Sequence, residues 1–257
     1  MTLQLNNITS GYKNREIIKN ISFKIGLGEA LCILGPNGVG KTTLLKTILG
    51  FIKPKIGEIL LNGKDISNME RREIAKIIGY VPQVHIPPFP YRVKDVVIMG
   101  RCPYIGSFGS PMIKDEEFVD SLLLKLNIYH LKDKYYTEIS GGERQLVLIA
   151  RALAQEPKIL IMDEPTSSLD FGNQIRVLEH IKNLVNYSDI GLIMNTHHPN
   201  HAFLCGTKVA LMKEGEILKI GDPSSVLTEE NLNLIYGVNT VLINDKEKSI
   251  KGFIAKI

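Results

Sequence analysis

A glycine-rich segment between an apolar run and a helix-like run has the composition of a phosphate-binding loop. Residues 35–42 read Gly-Pro-Asn-Gly-Val-Gly-Lys-Thr, a complete match to the G-x-x-x-x-G-K-[S/T] pattern. The apolar run Ala30–Leu34 precedes the loop and Thr43–Gly50 follows it, which is the strand–loop–helix setting that the motif requires. Glycines let backbone N–H groups crowd around phosphate oxygens, and the N-terminus of the following helix favours anions. The predicted nucleotide-binding residues of this loop are Gly35, Pro36, Asn37, Gly38, Val39, Gly40, Lys41, Thr42 and Thr43.

Lys41 and Thr42 supply the groups that phosphoryl transfer needs. The Lys41 ammonium can reach the β- and γ-phosphates, and the Thr42 hydroxyl can ligate Mg²⁺. The alternative is a glycine turn with a chance lysine, but such a turn does not require Lys-Thr after its last glycine. The pattern therefore favours a nucleoside triphosphate site with Mg²⁺.

A second apolar run, Ile159–Met162, ends in the two carboxylates Asp163 and Glu164. A buried strand would bring Asp163 to the edge of a sheet, where it can hold Mg²⁺ directly or through water. Glu164 can then polarise the attacking water as a general base. An ordinary strand that ends in a polar turn is the alternative, and the phosphate loop upstream makes it the weaker one.

The segment Ser140-Gly141-Gly142-Glu143 precedes a helical run and has two interpretations. Ser140 as N-cap and Glu143 three residues later form a capping box. The two glycines cost the helix about 1 kcal/mol each relative to alanine, which capping alone does not explain. Close approach of the backbone to a phosphate would explain them, and it is compatible with capping because both use the free N–H groups of the helix.

Three histidines, His197, His198 and His201, lie close together in the sequence. A bare H-H-x-x-H lacks the glutamate and the spacing of the usual zinc-binding helix. We therefore favour His197 as a contact to the γ-phosphate and treat His198 and His201 as structural or exposed residues.

The bulk properties set broad limits. A chain of 257 residues suits one large domain or two small ones, and a net charge of +4 does not demand nucleic acid, although it suits work near an anionic membrane. The scattered Cys32, Cys102 and Cys205 indicate reduced thiols in a cytoplasmic protein. Without a signal peptide or a run of about 18 apolar residues, we expect any membrane role to be peripheral.

Strand and helix patterns alternate along the chain, which predicts an α/β core with a mainly parallel sheet. The predicted strands are Leu3–Ile8, Ile21–Ile25, Ala30–Leu34, Glu58–Leu61, Ile78–Val81, Lys158–Met162, Ile190–Asn195, Val209–Met212 and Glu216–Ile220. The predicted helices beyond the phosphate loop are Asp115–Leu126, Gly142–Ala154 and Asn173–Val185.

Half of the chain's 12 prolines fall between residues 82 and 111 and exclude a regular sheet there. They are Pro82, Pro87, Pro88, Pro90, Pro103 and Pro111. Together with the helical patterns that follow, they predict a mostly helical insert at about residues 84–155.

With these motifs in this order, the chain resembles the nucleotide-binding subunit of an ABC transporter along nearly its full length. The further motifs that match are Tyr12 as the A-loop aromatic residue, Gln83 as the Q-loop, Ile139–Glu143 as the Leu-Ser-Gly-Gly-Gln signature, Asp163-Glu164 as Walker B, Ser168-Leu169-Asp170 as the D-loop and His197 as the switch histidine. Departures are small: Ile139 replaces Leu, Glu143 replaces Gln, and His198 stands where the family often has Asp.

The resemblance implies a P-loop NTPase (RecA-like) core with a mainly parallel sheet, an N-terminal antiparallel β region and a helical insert subdomain. It implies one nucleotide-binding domain over residues 1–257, with the helical subdomain at about 84–155 and a C-terminal tail at about 222–257. The implied catalytic residues are Glu164, His197 and Gln83. The implied Mg²⁺ ligands are Thr42, Gln83 and Asp163. Besides the phosphate loop, the implied ATP-binding residues are Tyr12, Ser140, Gly141, Gly142, Glu143, Asp163 and Asp170.

The implied partners follow from how this family works. Two copies pair head to tail, with ATP between the phosphate loop of one and the Ser-Gly-Gly helix of the other. Permease subunits in the membrane, and indirectly a substrate-binding protein, complete the machine at the cytoplasmic face of the cell membrane, with no nucleic acid. We expect Pro87–Pro111, with the apolar Val96, Val97, Ile98 and Met99, to dock the permease, the alternative being a loop that covers its own core.

Three segments, 89–91, 95–101 and 196–202, resemble the importer branch that handles iron chelates, haem, cobalamin and molybdate or tungstate. Iron chelates are favoured because they are the most common cargo. A soluble ABC ATPase uncoupled from transport is the rival interpretation, and the single cassette with a short insert argues against its known two-cassette and coiled-coil forms. A binder that has lost hydrolysis is disfavoured by the presence of Glu164 and His197.

Overall fold

The computed structural model describes residues 1–85, 87, 89–105, 109–187, 189–245 and 250–256. The strands of this part are β1 (Thr2–Tyr12), β2 (Arg15–Gly26), β3 (Ala30–Leu34), β4 (Ile56–Leu61), β5 (Lys64–Asp65), β6 (Ile78–Val81), β7 (Ile159–Asp163), β8 (Gly191–Thr196), β9 (Lys208–Lys213), β10 (Glu216–Gly221), β11 (Thr240–Asp245) and β12 (Ile250–Ala255). Its α-helices are α1 (Lys41–Ile48), α2 (Arg71–Ile77), α3 (Val93–Ile98), α4 (Ile113–Lys125), α5 (Gly141–Leu153), α6 (Phe171–Tyr187), α7 (Pro199–Cys205), α8 (Pro223–Val226) and α9 (Glu229–Tyr236).

A six-stranded sheet in the order β10-β9-β3-β8-β7-β6 forms the centre of the molecule. All neighbouring strands in this sheet run parallel to each other, except that β10 is antiparallel to β9. Strands β3, β7 and β8 are buried at every position because both faces of the sheet are covered, as expected for a parallel sheet. The carboxyl ends of these three strands are adjacent, since Leu34 pairs with Thr196 and Asp163 with Asn195. The predicted parallel core is confirmed, and it brings three predicted motifs to one edge.

A second, antiparallel sheet in the order β2-β1-β4-β5 confirms the predicted N-terminal β region. Its apolar side chains, among them Leu5, Ile21 and Ile25, pack with α1 and one face of the parallel sheet in a single core cluster. Strands β1 and β2 are longer than the alternating runs that predicted them. Their backbones continue to pair, from Thr2 with Gly26 to Tyr12 with Arg15, with register shifts where the alternation breaks.

The described residues between β6 and β7 form α3, α4 and α5, as the proline-rich composition and the helical patterns predicted. Pro88 lies outside the described residues. The prediction that four apolar residues of this segment form a docking surface is wrong for two of them. Val96 and Val97 are fully buried in the core beneath α5. Ile98 and Met99 are half-buried and remain available to a partner. Helix α3 buries this apolar stripe against the core, as an amphipathic helix does. For Val96 and Val97, the alternative interpretation is therefore correct: the segment covers its own core.

Arg101 joins three parts of this helical region. Its guanidinium bonds to Asp115 Oδ1 at 3.0 Å, Glu156 Oε2 at 2.7 Å and the Ala154 carbonyl at 2.9 Å. The Tyr104 ring packs on it with its centroid 4.2 Å away. Because Arg101 and Asp115 are both buried, each needs the other as a partner.

After β10 the chain forms α8, α9 and the antiparallel pair of β11 and β12. Strand β12 packs on α7, so the C-terminal segment returns to the central unit and covers the helix that follows His197. Among the residues that the structure describes, no helix is both long and apolar enough to cross a membrane.

We predict that Arg101→Ala lowers the free energy of unfolding by about 3 kcal/mol, because it leaves the buried Asp115 carboxylate without its cation. Urea denaturation followed by circular dichroism measures this loss. Lys94→Ala is the matched control, since Lys94 pairs with Asp133 at 3.4 Å on the surface and its removal should cost about 0–1 kcal/mol. Equal losses in the two variants would contradict the role given to the Arg101 cluster.

Candidate functional site

The loop between β3 and α1 has the backbone that an anion site requires. Gly40 has φ = 107° and a Cβ there would lie 2.8 Å from Ile18 Cγ2, so only glycine fits. No side chain caps the N-terminus of α1, and its first N–H groups therefore remain available to a bound phosphate. The predicted phosphate loop is in the predicted place, directly after a buried strand and before a helix.

The Lys41 ammonium lies inside this loop. Its Nζ donates to the carbonyls of Gly35 at 2.8 Å and Pro36 at 2.9 Å, and it is 3.7 Å from Glu164 Oε1. Burial lowers the pKa of Lys41, while the negative charges of Glu164 and Asp163 oppose this shift. The loop thus holds a buried cation at the position where the motif predicts the β- and γ-phosphates.

Asp163 ends β7 and meets the phosphate loop through its side chain. Its Oδ1 accepts hydrogen bonds from Thr42 Oγ1 at 3.3 Å and from Asn195 Nδ2 at 3.0 Å. Burial raises the pKa of this carboxyl, and the bonds from Asn195 and Thr42 oppose the shift. Two predicted Mg²⁺ ligands, both oxygen donors, are therefore adjacent, and a buried carboxylate beside a second carboxylate favours a divalent cation. The residues present fit Mg²⁺.

Glu164 is at the centre of the predicted catalytic residues. Its Oε2 accepts from Gln83 Nε2 at 3.1 Å and lies 3.6 Å from His197 Nδ1. Its backbone has φ = 46°, a left-handed conformation that is uncommon outside glycine and that turns its side chain toward these groups. The structure thus brings Glu164, Gln83 and His197 together. Gln83 bonds to Glu164 and Ser167 here, and its ligation of Mg²⁺ stays a prediction.

The Ser-Gly-Gly segment begins α5 with the predicted capping box. The Glu143 N–H donates to Ser140 Oγ at 3.3 Å, and the Ser140 N–H donates to Glu143 Oε2 at 2.8 Å. The Ser140 hydroxyl also donates to this carboxylate, and it and the Ser140 N–H together lower the pKa of Glu143. Gly142 has a packing reason inside the chain, because a Cβ there would lie 2.6 Å from Asn173 Cγ. Gly141 has no such neighbour, with the nearest atom 3.5 Å away, so phosphate approach remains the explanation for this glycine only.

Asp170 and Tyr12 lie apart from the Glu164 group. Asp170 caps α6 by accepting from the backbone N–H of Asn173 at 2.9 Å and from its side-chain amide at 2.7 Å. Tyr12 ends β1 with 49% of its surface exposed, which leaves its ring open to a stacking partner. Their predicted contacts to nucleotide stay predictions.

Three residues near the site were missed in the sequence. Asn195 bonds to Asp163, Ser167 Oγ accepts from Gln83 at 3.2 Å, and the Tyr236 phenol lies beside Gly35 and Glu164. Asn195 carried a usable signal, a polar residue that closes an apolar run at the same edge as Asp163. Tyr236 carried none, because the tail that contains it showed only short and mixed patterns.

A family model described as ABC transporter matches residues 18–167. An ABC transporter ATP-binding protein of Haemophilus influenzae is 44% identical over 255 residues, which cover 97% of each chain. A Helicobacter pylori protein named for iron chelatin transport is 36% identical, covering 92% of this chain and 93% of that one. A Haemophilus influenzae protein named for molybdate import is 37% identical, covering 86% and 81%.

A solved structure described as an inward-facing, metal-chelate type ABC transporter superposes with a TM-score of 0.89. It is 33% identical in sequence, and the match covers 100% of this chain and 98% of that one. The likeness therefore extends over the C-terminal segment as well as the motifs.

We predict that Lys41→Ala weakens ATP binding on the order of 10- to 100-fold, because it removes a charge-assisted contact to phosphate. Isothermal titration calorimetry measures the affinity. Lys46→Ala, in the same helix but away from the loop, is the control and should bind ATP as the unchanged chain does. Equal ATP affinity for Lys41→Ala and the unchanged chain would refute the assignment of the loop.

Proposed function

Because the chain belongs to the ABC transporter family of ATP-binding proteins, we propose that it is the ATP-binding and ATP-hydrolysing subunit of an importer for a metal chelate, with iron-siderophore complexes favoured. The observation that carries the catalytic part is the set of contacts around one carboxylate. Lys41, Gln83 and His197 all lie within 3.7 Å of Glu164. Such a cluster at the end of a buried strand suits hydrolysis of a bound triphosphate better than simple binding.

Each side chain has a role that its contacts support. Lys41 exchanges the carbonyls of Gly35 and Pro36 for phosphate oxygens when ATP binds. Glu164 accepts the proton of the attacking water. Gln83 orients this water through its side-chain amide, which bonds to Glu164 in this structure. Thr42 and Asp163 would hold Mg²⁺, with Gln83 as a further ligand, and the ion supplies charge neutralisation at the phosphates.

A second copy completes the site in this proposal. Ser140 and Gly141, at the N-terminus of α5, are exposed, and the Ser140 N–H and hydroxyl bond to Glu143 within the same turn. A helix N-terminus with exposed backbone N–H groups suits the γ-phosphate on a facing subunit. A head-to-tail pair related by a two-fold axis would close two such sites at once, with Tyr12 stacked on adenine in each.

The permease is proposed to dock on a groove rather than on the whole proline-rich segment. A cavity of about 340 Å³ lies between the end of α1, α2, β6 and α5. Phe51, Ile74, Tyr80 and Met99 line it, and Phe51 is 67% exposed. An apolar groove of this kind fits a short helix from a membrane partner. Tyr80 of β6 lines this groove, and Gln83, two residues beyond β6, bonds to Glu164 at 3.1 Å, so β6 links the groove to the catalytic carboxylate. A permease docked in this groove would hold the protein at the cytoplasmic face of the membrane.

The cargo follows from the relatives rather than from any residue here. The relatives named for iron chelatin and molybdate differ in cargo although each is similar to this chain over most of its length, which fits a cargo that passes through the permease. Co-expression with a candidate permease, followed by co-purification and uptake of labelled ferric siderophore, tests this step. ATP hydrolysis without any permease association would favour the rival, a soluble ABC ATPase.

We predict that Glu164→Gln lowers ATP turnover by about 10²- to 10⁴-fold while ATP-dependent dimerisation persists, because the general base is lost and the binding groups remain. Steady-state phosphate release and light scattering after size exclusion measure the two properties. Glu179→Gln, an exposed carboxylate on α6, is the matched control. Unchanged hydrolysis in Glu164→Gln would remove Glu164 from the role of base.

A further inference from the structure

The C-terminal segment forms one wall of a cavity whose other wall carries His197. The cavity has a volume of about 420 Å³. His197 and His198 line it from the end of β8, and Tyr236, Thr240 and Phe253 line it from the C-terminal segment. His197 and the tail of the chain therefore line the same cavity, which is partly open to solvent.

The tail is fixed to the helix that follows His197. Asn200 on α7 makes two hydrogen bonds to the backbone of Phe253, one from Phe253 N–H at 2.7 Å and one to its carbonyl at 3.3 Å. The rings of Phe203 and Phe253 stack with their centroids 5.7 Å apart. Gly237 ends α9 with φ = 68° and bonds back to the Asn233 carbonyl at 2.7 Å, which fixes the backbone at Tyr236.

Two buried polar atoms in this cavity are complementary. Within the described part of the chain, His197 Nδ1 is buried without a hydrogen-bond partner, and the buried Tyr236 hydroxyl has no acceptor for its hydrogen. The Gly35 N–H lies against the hydroxyl oxygen as a donor, and the Glu164 charge is nearby. Buried polar groups without partners are rare and destabilising, so a contact that pairs the two would be favoured.

The Tyr236 hydroxyl is a donor at physiological pH. Burial raises the pKa of Tyr236 to about 12, and the nearby Glu164 charge acts in the same direction. The phenol therefore keeps its proton, and a neutral imidazole can accept it at whichever ring nitrogen carries no hydrogen.

The choice of nitrogen decides what His197 can do. Glu164 Oε2, 3.6 Å from Nδ1, favours a hydrogen on Nδ1 and leaves Nε2 an acceptor, which repels a phosphate oxygen. A donor at Nδ1 has the opposite effect and leaves the hydrogen on Nε2. We propose that Tyr236 is a positioning residue for His197, and that its hydroxyl donates to Nδ1, directly or through one water, so that Nε2–H can donate to a phosphate. This proposal rests on the proposed function of His197 as the γ-phosphate contact.

Tyr236→Phe tests the proposal, because it removes the hydroxyl and keeps the ring that packs against the tail. We expect kcat for ATP hydrolysis to fall roughly tenfold, the equivalent of about one net hydrogen bond, with the KM for ATP and the melting temperature unchanged. Tyr187→Phe, which removes an exposed hydroxyl from the end of α6, should leave kcat unchanged. An unchanged kcat in Tyr236→Phe would overturn the proposal.

The same substitution in a His197→Ala background separates positioning from packing. If Tyr236 acts through His197, Tyr236→Phe should not lower kcat further in the His197→Ala background. If Tyr236 acts only by packing, Tyr236→Phe should lower kcat by the same factor in the unchanged chain and in His197→Ala. Equal losses would overturn the proposal. If His197→Ala alone leaves turnover unchanged, the proposed role of His197 fails instead, so the two failures are distinguishable.

A spectroscopic measurement gives a readout independent of turnover. Nitrogen-15 NMR of the histidine-labelled protein, with the His197 signals assigned by their loss in His197→Ala, reports the tautomer. We expect hydrogen on Nε2 in the unchanged chain and a shift toward Nδ1 in Tyr236→Phe. The same tautomer in both would contradict the proposal.

Discussion

The buried ammonium of Lys41 is the charge around which the rest of the site is arranged. It needs acceptors, which the carbonyls of Gly35 and Pro36 supply, and it needs compensating charge, which Asp163 and Glu164 supply. These groups can meet because β3 and β7, with β8 between them, run parallel and end at one edge of the sheet. A low local dielectric strengthens every one of these contacts, so the site is prepared for a triphosphate that brings charge of the opposite sign to Lys41.

The residues that could be predicted from the sequence are those whose local pattern has one physical explanation. The glycine loop before Lys41 and the carboxylates after an apolar run specify both an element and its chemistry. Long-range packing has no such local signature. Val96 and Val97 were expected at a surface and are core, because an apolar stripe looks the same whichever partner covers it. Gly142 is required by Asn173, whose place beside it only the fold determines.

The C-terminal segment extends the site beyond the motifs. Asn200 and Phe253 attach the tail to α7, and Tyr236 reaches the space beside His197. A tail held only by a two-stranded sheet would be marginal, and its packing on α7 makes it part of the same unit. Around the proposed ATP position the chain thus supplies the phosphate loop, the residues at the strand ends, and the tail. In the proposed head-to-tail pair, the Ser140 helix of a second copy would complete the site.

The central claim is that a complete site requires two copies, and mixing two inactive variants tests it most directly. Lys41→Ala disables the loop and Ser140→Arg blocks the facing helix, so a mixed pair retains one site in which both halves are intact. The account predicts no ATP hydrolysis by either variant alone and recovery on mixing, up to the level of mixed pairs of the unchanged chain with Lys41→Ala. No recovery on mixing, while that control pair remains active, would contradict it.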